Sequence, residues 1–125
     1  FVAAYKEAFP DGFPSPSLFA HGYYVNTVAV LKALDSINGD ISDDGVKLRE
    51  TLASLAFDTP TGPVKLDANR NAIADMFVTE VAEGDDGTLY NKVVKVIEGV
   101  DQTLGQPVDE FLALGVANRD NPSCP

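Results

Sequence analysis

Asp67, Asn69, Asn71 and Asp75 have the spacing nearest to a metal motif in this sequence. Asp-x-Asn-x-Asn resembles the opening of a calcium-binding EF-hand loop, where alternate side chains turn oxygens onto one cation. Two later positions break the pattern. Ala72 stands at the sixth, where the loop needs Gly for its sharp turn, and Val78 at the twelfth, where it needs a bidentate Glu. A hairpin turn with self-bonded Asn side chains fits these residues better. No metal and no cofactor is expected.

His21 is the only histidine. No nucleophile motif surrounds it, and no G-x-S-x-G, phosphate-binding Gly-rich loop or H-E-x-x-H occurs, so no catalytic residue is assigned. A lone His near a helix start serves as a structural hydrogen bonder more often than as a catalyst, and lining a ligand pocket is the functional alternative. Phe19, Tyr23 and Tyr24 gather around it. Adjacent helical residues point about 100° apart, so the tyrosines cannot both face one way. One of them is expected to pack in the core. The other offers an aromatic wall with a polar tip to a small ligand, and Gly22 leaves room for close approach. Phe19, His21, Tyr23 and Tyr24 are therefore the candidate ligand-binding residues. Arg70, in a turn beside Asn69 and Asn71, has the donor fork for a carboxylate, although a solvated salt bridge is the commoner fate of such an arginine.

Composition narrows the partners. Nine basic against nineteen acidic residues give a net charge of -10, which repels nucleic acid and anionic lipid. A hydrophobic fraction of 45% over 125 residues suits one packed domain, or one lobe plus part of another. No apolar run is long enough for a membrane helix. Cys124 is the only cysteine, so no internal disulfide or Cys-based zinc site is possible. It reads as a free thiol on a C-terminal tail, or as the partner of a cysteine elsewhere.

The elements that position these residues follow from periodicity. Phe1 to Phe9 reads as the last turns of a helix with no capping residue before it, so the chain is expected to continue upstream. Residues 10–17 are a proline-rich loop. Pro16-Ser17 opens a long helix with apolar stripes Tyr24/Val28/Leu31 and Val30/Leu34/Ile37, a pattern that predicts burial on most sides. Asn38-Gly39 stops it. Ser42 is expected to cap a third helix, with Asp43 and Asp44 in its first turn and Leu48, Leu52 and Leu55 on its one apolar stripe. Thr59 to Pro63 is a turn, and Val64-Lys65-Leu66 a short strand. A second strand runs Ile73–Val81, a hairpin turn spans Gly84–Gly87, and a third strand runs Leu89–Val100. A short helix covers Asp109–Leu114, and the tail from Asn118 reads as irregular. Three strands in a β-meander leave an exposed edge, which a larger parallel sheet would remedy.

Taken together, these blocks resemble the C-terminal portion of type I periplasmic solute-binding proteins. The group is that of the branched-chain-amino-acid-type receptors of ABC transporters. The matching stretches are FVAAYKEAF, PSLFAHGYYVNTVAVLKAL, LRETLASLAFDTPTGPVKLDANRNAIADMFVTEV, LYNKVVKVIEGVDQTLG and FLALGVANRDNPSCP. The segment TPTGPVKLD resembles the family's TP-x-G-x-V-x-(F/L)-D. The helix carrying Gly22-Tyr23-Tyr24 resembles the family's GYDA helix, with Tyr24 in place of the common Asp. The resemblance covers nearly all of the chain.

It implies an α/β fold of two lobes joined by crossover strands, with ligand in the cleft between them. Residues 1–88 would be the C-terminal part of the N-terminal lobe, as helices and a hairpin packed on an incomplete sheet. Residues 89–125 would be a crossover strand and a segment covering the C-terminal lobe. It also implies a signal peptide, a periplasmic location, and ABC permease membrane subunits as partners. The ligand would be an amino acid or small carboxylic acid, aromatic in one version, and the rest of the same chain would complete the cleft. Half a cleft is expected to bind weakly or not at all. A ligand-sensing domain of a signalling or regulatory protein with the same fold is the alternative. An enzyme whose catalytic half lies elsewhere has no residue here to support it.

Overall fold

The computed structural model describes residues 1–13, 15–116 and 118. They divide into two compact units, one from Phe1 to Arg70 and one from Asn71 onward.

The first unit opens with α1 (Val2–Ala8), whose N-cap Phe1 supplies no side-chain hydrogen bond. The long helix α2 spans Leu18–Ser36. Ser17 is its cap, and the Ser17 hydroxyl oxygen accepts the Ala20 N–H at 3.2 Å. Asn38 (φ 53°) and Gly39 (φ 71°) end it in the left-handed region. There the Gly39 N–H reaches back to the Leu34 carbonyl at 2.8 Å. Ser17→Ala removes the only side-chain cap at the α2 start and should cost about 1 kcal/mol, read as a lower urea midpoint by circular dichroism.

Helix α3 (Val46–Ser54) begins later than the sequence predicts. Ser42 does not cap it. The Ser42 N–H and hydroxyl both donate to the Asp40 carboxylate, at 3.1 and 2.6 Å. Gly45 takes the N-cap position at φ 72°, and Asp43 accepts the Lys47 N–H at 3.1 Å. The physical reason is competition. Asp40 binds Ser42 first and holds the chain in a side-chain turn, which delays the helix until Gly45 can turn it. The Lys47 ammonium, 2.7 Å away, and Ser42 together hold the Asp40 carboxyl far below the usual carboxylate range. Leu48, Leu52 and Leu55 are half-buried while Lys47, Arg49 and Glu50 are exposed, so the single apolar stripe is as predicted. α2 packs on α3.

A hairpin follows, of β1 (Ala56–Thr59) and β2 (Gly62–Leu66), and α3 also packs on β2. β1 is missing from the sequence reading, because four residues carry too little alternation to stand out after a leucine stripe. Its pairing is antiparallel, Phe57 opposite Val64 and Thr59 opposite Gly62. The two-residue loop is Pro60-Thr61. Pro60 fixes φ near about -65°, which bars the mirror-image turns usual in hairpins. Gly62 takes the positive φ instead, at 111°. The Thr59 hydroxyl closes the loop by donating to the Gly62 carbonyl at 2.7 Å.

The second unit is built on β3 (Ala72–Glu83) and β4 (Leu89–Val100), followed by the short helix α4 (Val108–Ala113). The two strands pair antiparallel, Phe77 opposite Val96 and Glu80 opposite Lys92, with a 3.0 Å ion pair across the latter. Register shifts occur between Ala74 and Met76 and between Val78 and Thr79. At the first, Gly99 sits at φ 61° and its N–H donates to Asp75 at 3.0 Å. That is a glycine-centred bulge held by a carboxylate. The three strands expected from the sequence are all present, and β1 adds a fourth.

One correction concerns the core. The sequence predicts α2 buried on most sides, but Tyr24, Val30 and Leu31 are exposed. Among the described residues the buried ones are Ala33 at 0% exposure and Thr103 at 5%. Both apolar stripes have the right period, and within these residues their outer faces lack cover.

Candidate functional site

The start of α2 carries all four residues singled out from the sequence. The helix sorts them onto different faces. His21 and Tyr24 are three residues apart and turn to one side, where the Phe1 ring meets both. Phe1 lies 4.8 Å from the Tyr24 ring centroid and 6.1 Å from that of His21, edge-on to the latter. Phe1, Tyr5 and Phe9 continue the contact along α1, with ring centroids 6.5 and 5.2 Å apart. Tyr24 is therefore the tyrosine that packs.

Phe19 and Tyr23 are four residues apart and share another face of α2. Each is 76% exposed. Two aromatic rings on one open helix face make a surface that an apolar or aromatic group can lie against, with the Tyr23 phenol as a hydrogen-bonding tip. Gly22, between the faces, has nothing within 4 Å of where a Cβ would stand.

His21 has a polar partner that its sequence neighbourhood does not signal. Its Nε2 lies 3.1 Å from the Thr61 hydroxyl, at the tip of the β1–β2 hairpin. Thr61 in turn lies 3.2 Å from the Thr59 hydroxyl, which also accepts the Thr61 N–H at 3.2 Å. Thr59, Thr61 and Phe1 are the site neighbours that sequence reasoning missed. The i, i+4, i+8 spacing of Phe1, Tyr5 and Phe9 was a local signal for the aromatic ladder. Thr61 lies forty residues from His21 in the chain and gave none.

The other candidates resolve differently. Arg70 is exposed at the end of the first unit with φ 67°, and its N–H donates to the Asp67 carbonyl at 3.0 Å. The turn around Asn69 is held by the Asp67 carboxylate, which accepts the Asn69 N–H at 2.8 Å. The side chain that bonds at Asn69 is that of Asp67. Asp75 spends an oxygen on the β4 bulge. Among the described residues no group of three or more His, Cys, Asp or Glu is placed to hold a metal ion. No helix among them is long and apolar enough to cross a membrane. Cys124 and the tail beyond Asn118 lie outside the described residues.

The chain is similar to proteins of one kind. Residues 1–88 match the periplasmic binding protein family. The Leu/Ile/Val-binding protein homolog 6 of Brucella abortus is 31% identical over 78 residues, which are 62% of this chain and 20% of the relative. The proteins of the same description from Brucella suis and Brucella melitensis match to the same extent. The chain thus aligns with about a fifth of the length of these curated relatives. Among solved structures, an ABC transporter substrate-binding protein from Sphaerobacter thermophilus superposes with a TM-score of 0.73 at 25% identity. It covers 81% of this chain and 27% of its own. A solute-binding protein of an ABC transporter from R. palustris, solved in complex with benzoate, has a TM-score of 0.61 at 20% identity. It covers 86% and 28% of the two chains, and its likeness is one of fold. With the family matched over residues 1–88 and the fold shared with type I binding proteins, this chain belongs to the periplasmic binding protein family.

Proposed function

We propose that the chain is part of the extracytoplasmic substrate-binding component of an ABC-type importer. Its ligand is an amino acid or small carboxylic acid with an apolar or aromatic body. The observation that carries this reading is the family match over residues 1–88, which includes the whole of α2 and its open Phe19–Tyr23 face. The relatives described as Leu/Ile/Val-binding, and the fold neighbour solved with benzoate, support the two ligand versions.

In this reading residues 1–88 belong to the N-terminal lobe, and residues 89–125 cross to and cover the other. Phe19 and Tyr23 contribute one apolar wall of the cleft. The polar groups that hold the ligand's charged end come from elsewhere in the protein, and the loaded receptor delivers to permease subunits in the membrane. Closure would be selected by contacts made only in the closed state.

The test is calorimetric titration of the longest reading frame that contains this chain. The panel is leucine, isoleucine, valine, phenylalanine and benzoate. Micromolar or tighter binding of one class is expected. No heat with any of the five would overturn the reading.

A further inference from the structure

We propose that His21 is a hydrogen-bond donor that clips the start of α2 to the β1–β2 turn and so positions the Phe19–Tyr23 face. The role in positioning rests on the function proposed above, whereas the clip itself rests on a count of protons.

The Thr59 hydroxyl has one proton, and its short bond to the Gly62 carbonyl takes it, because a carbonyl only accepts. Thr59 is then an acceptor toward both of its other contacts, the Thr61 N–H and the Thr61 hydroxyl. For the Thr59–Thr61 contact to be a hydrogen bond, the Thr61 hydroxyl donates its proton to Thr59. What remains to Thr61 is a lone pair, and the group 3.1 Å from it is His21 Nε2. With all of these contacts bonded at once, that nitrogen carries the hydrogen, whereas a Thr61 proton turned to His21 would leave the Thr59–Thr61 contact unbonded. The chain runs in one direction, from His21 through Thr61 and Thr59 to the Gly62 carbonyl, with every donor used once.

Two consequences follow. The neutral imidazole is held as the Nε2–H tautomer, and a protonated ring keeps the same donor, so gaining a proton does not break the clip. The clip also joins residues forty apart in the chain. It fixes the first turn of α2, from which Phe19 projects with Tyr23 one turn further on, to a loop that Pro60 already stiffens.

The test needs no ligand, so a chain that binds nothing overturns the proposed function and leaves the clip to be decided separately. His21 is the only histidine, and selective ¹⁵N-histidine labelling gives a single imidazole. At pH 8 its proton is expected on Nε2, and a proton on Nδ1 would overturn the proposal. Amide exchange at Thr61 supplies the second readout. His21→Phe keeps a ring against Phe1 but has no donor, and should speed Thr61 exchange by about three- to tenfold, the loss of one ordinary hydrogen bond. His21→Gln, which places an N–H near the same point, should restore most of the protection. Unchanged exchange in the Phe variant overturns the clip. Equal loss in both variants overturns the donor role.

Discussion

Ala33→Asp is expected to destabilise the first unit strongly, and Leu31→Asp, two residues away on the same helix, is expected to leave its stability nearly unchanged. Periodicity alone ranks these positions the other way. Leu31 belongs to an apolar stripe, and Ala33 is a small residue with no evident part in either stripe. In the structure Leu31 is 59% exposed and Ala33 fully buried. A carboxylate at 33 would lose its water without gaining a cation, while the helix would also lose its best residue type. The combined cost is about 3 kcal/mol or more, a large share of the 5–15 kcal/mol that separates a folded domain from its unfolded chain. Ala33→Gly is the control for backbone effects and should cost about 1 kcal/mol. The measurement is urea denaturation of the 125-residue chain followed by circular dichroism. An unchanged midpoint in Ala33→Asp would mean that residue 33 is not enclosed.

The contrast between Leu31 and Ala33 also marks what sequence can report. The period of α2, its Ser17 cap and its Asn38-Gly39 stop are local, and each is where the pattern places it. Periodicity tells which residues share a face, but says nothing of what lies opposite. The α2 stripes were therefore legible as stripes and misread as buried. The same division holds at the third helix. Its Leu48/Leu52/Leu55 stripe was legible, but its start depended on whether Asp40 or the helix would engage Ser42. That is a contest of local hydrogen bonds of similar strength. β4 was legible to its end residues, because Tyr90, Val93, Val94, Val96 and Ile97, all of β-favouring type, cluster between two glycine-marked turns. Four-residue β1 was not.

At the candidate site the split is similar. The 100° rule separated Tyr23 from Tyr24 without saying which would pack. Phe1 decides that, by placing its ring 4.8 Å from Tyr24. The four site residues came from their types and their nearness in sequence. The Thr59–Thr61 partner of His21 did not, because a contact across forty residues is set by the fold and not by spacing.

Phe19→Ala and Tyr23→Ala should each weaken ligand binding by about tenfold, a loss of ~1.4 kcal/mol, when measured in the longest reading frame that contains this chain. Two rings, each 76% open to water and four residues apart, form one continuous apolar strip. In a binding protein that closes on its ligand, a strip at the cleft would be covered in the closed state. The ligand's apolar body then gains contact area, and each ring loses its contact with water. Truncating either ring removes that gain at little cost to the fold, because each ring is 76% exposed. Leu18→Ala is the control. Leu18 is 81% exposed and also in the first turn of α2, but about 100° from Phe19, so its loss should leave affinity unchanged. Tyr23→Phe separates the ring from its hydroxyl, and full affinity there would assign the effect to apolar contact alone. If both alanine variants bind as the parent does, the Phe19–Tyr23 face lies outside the cleft and serves as packing surface for another part of the protein. If Leu18→Ala weakens binding equally, the effect belongs to the whole helix end and not to the aromatic strip.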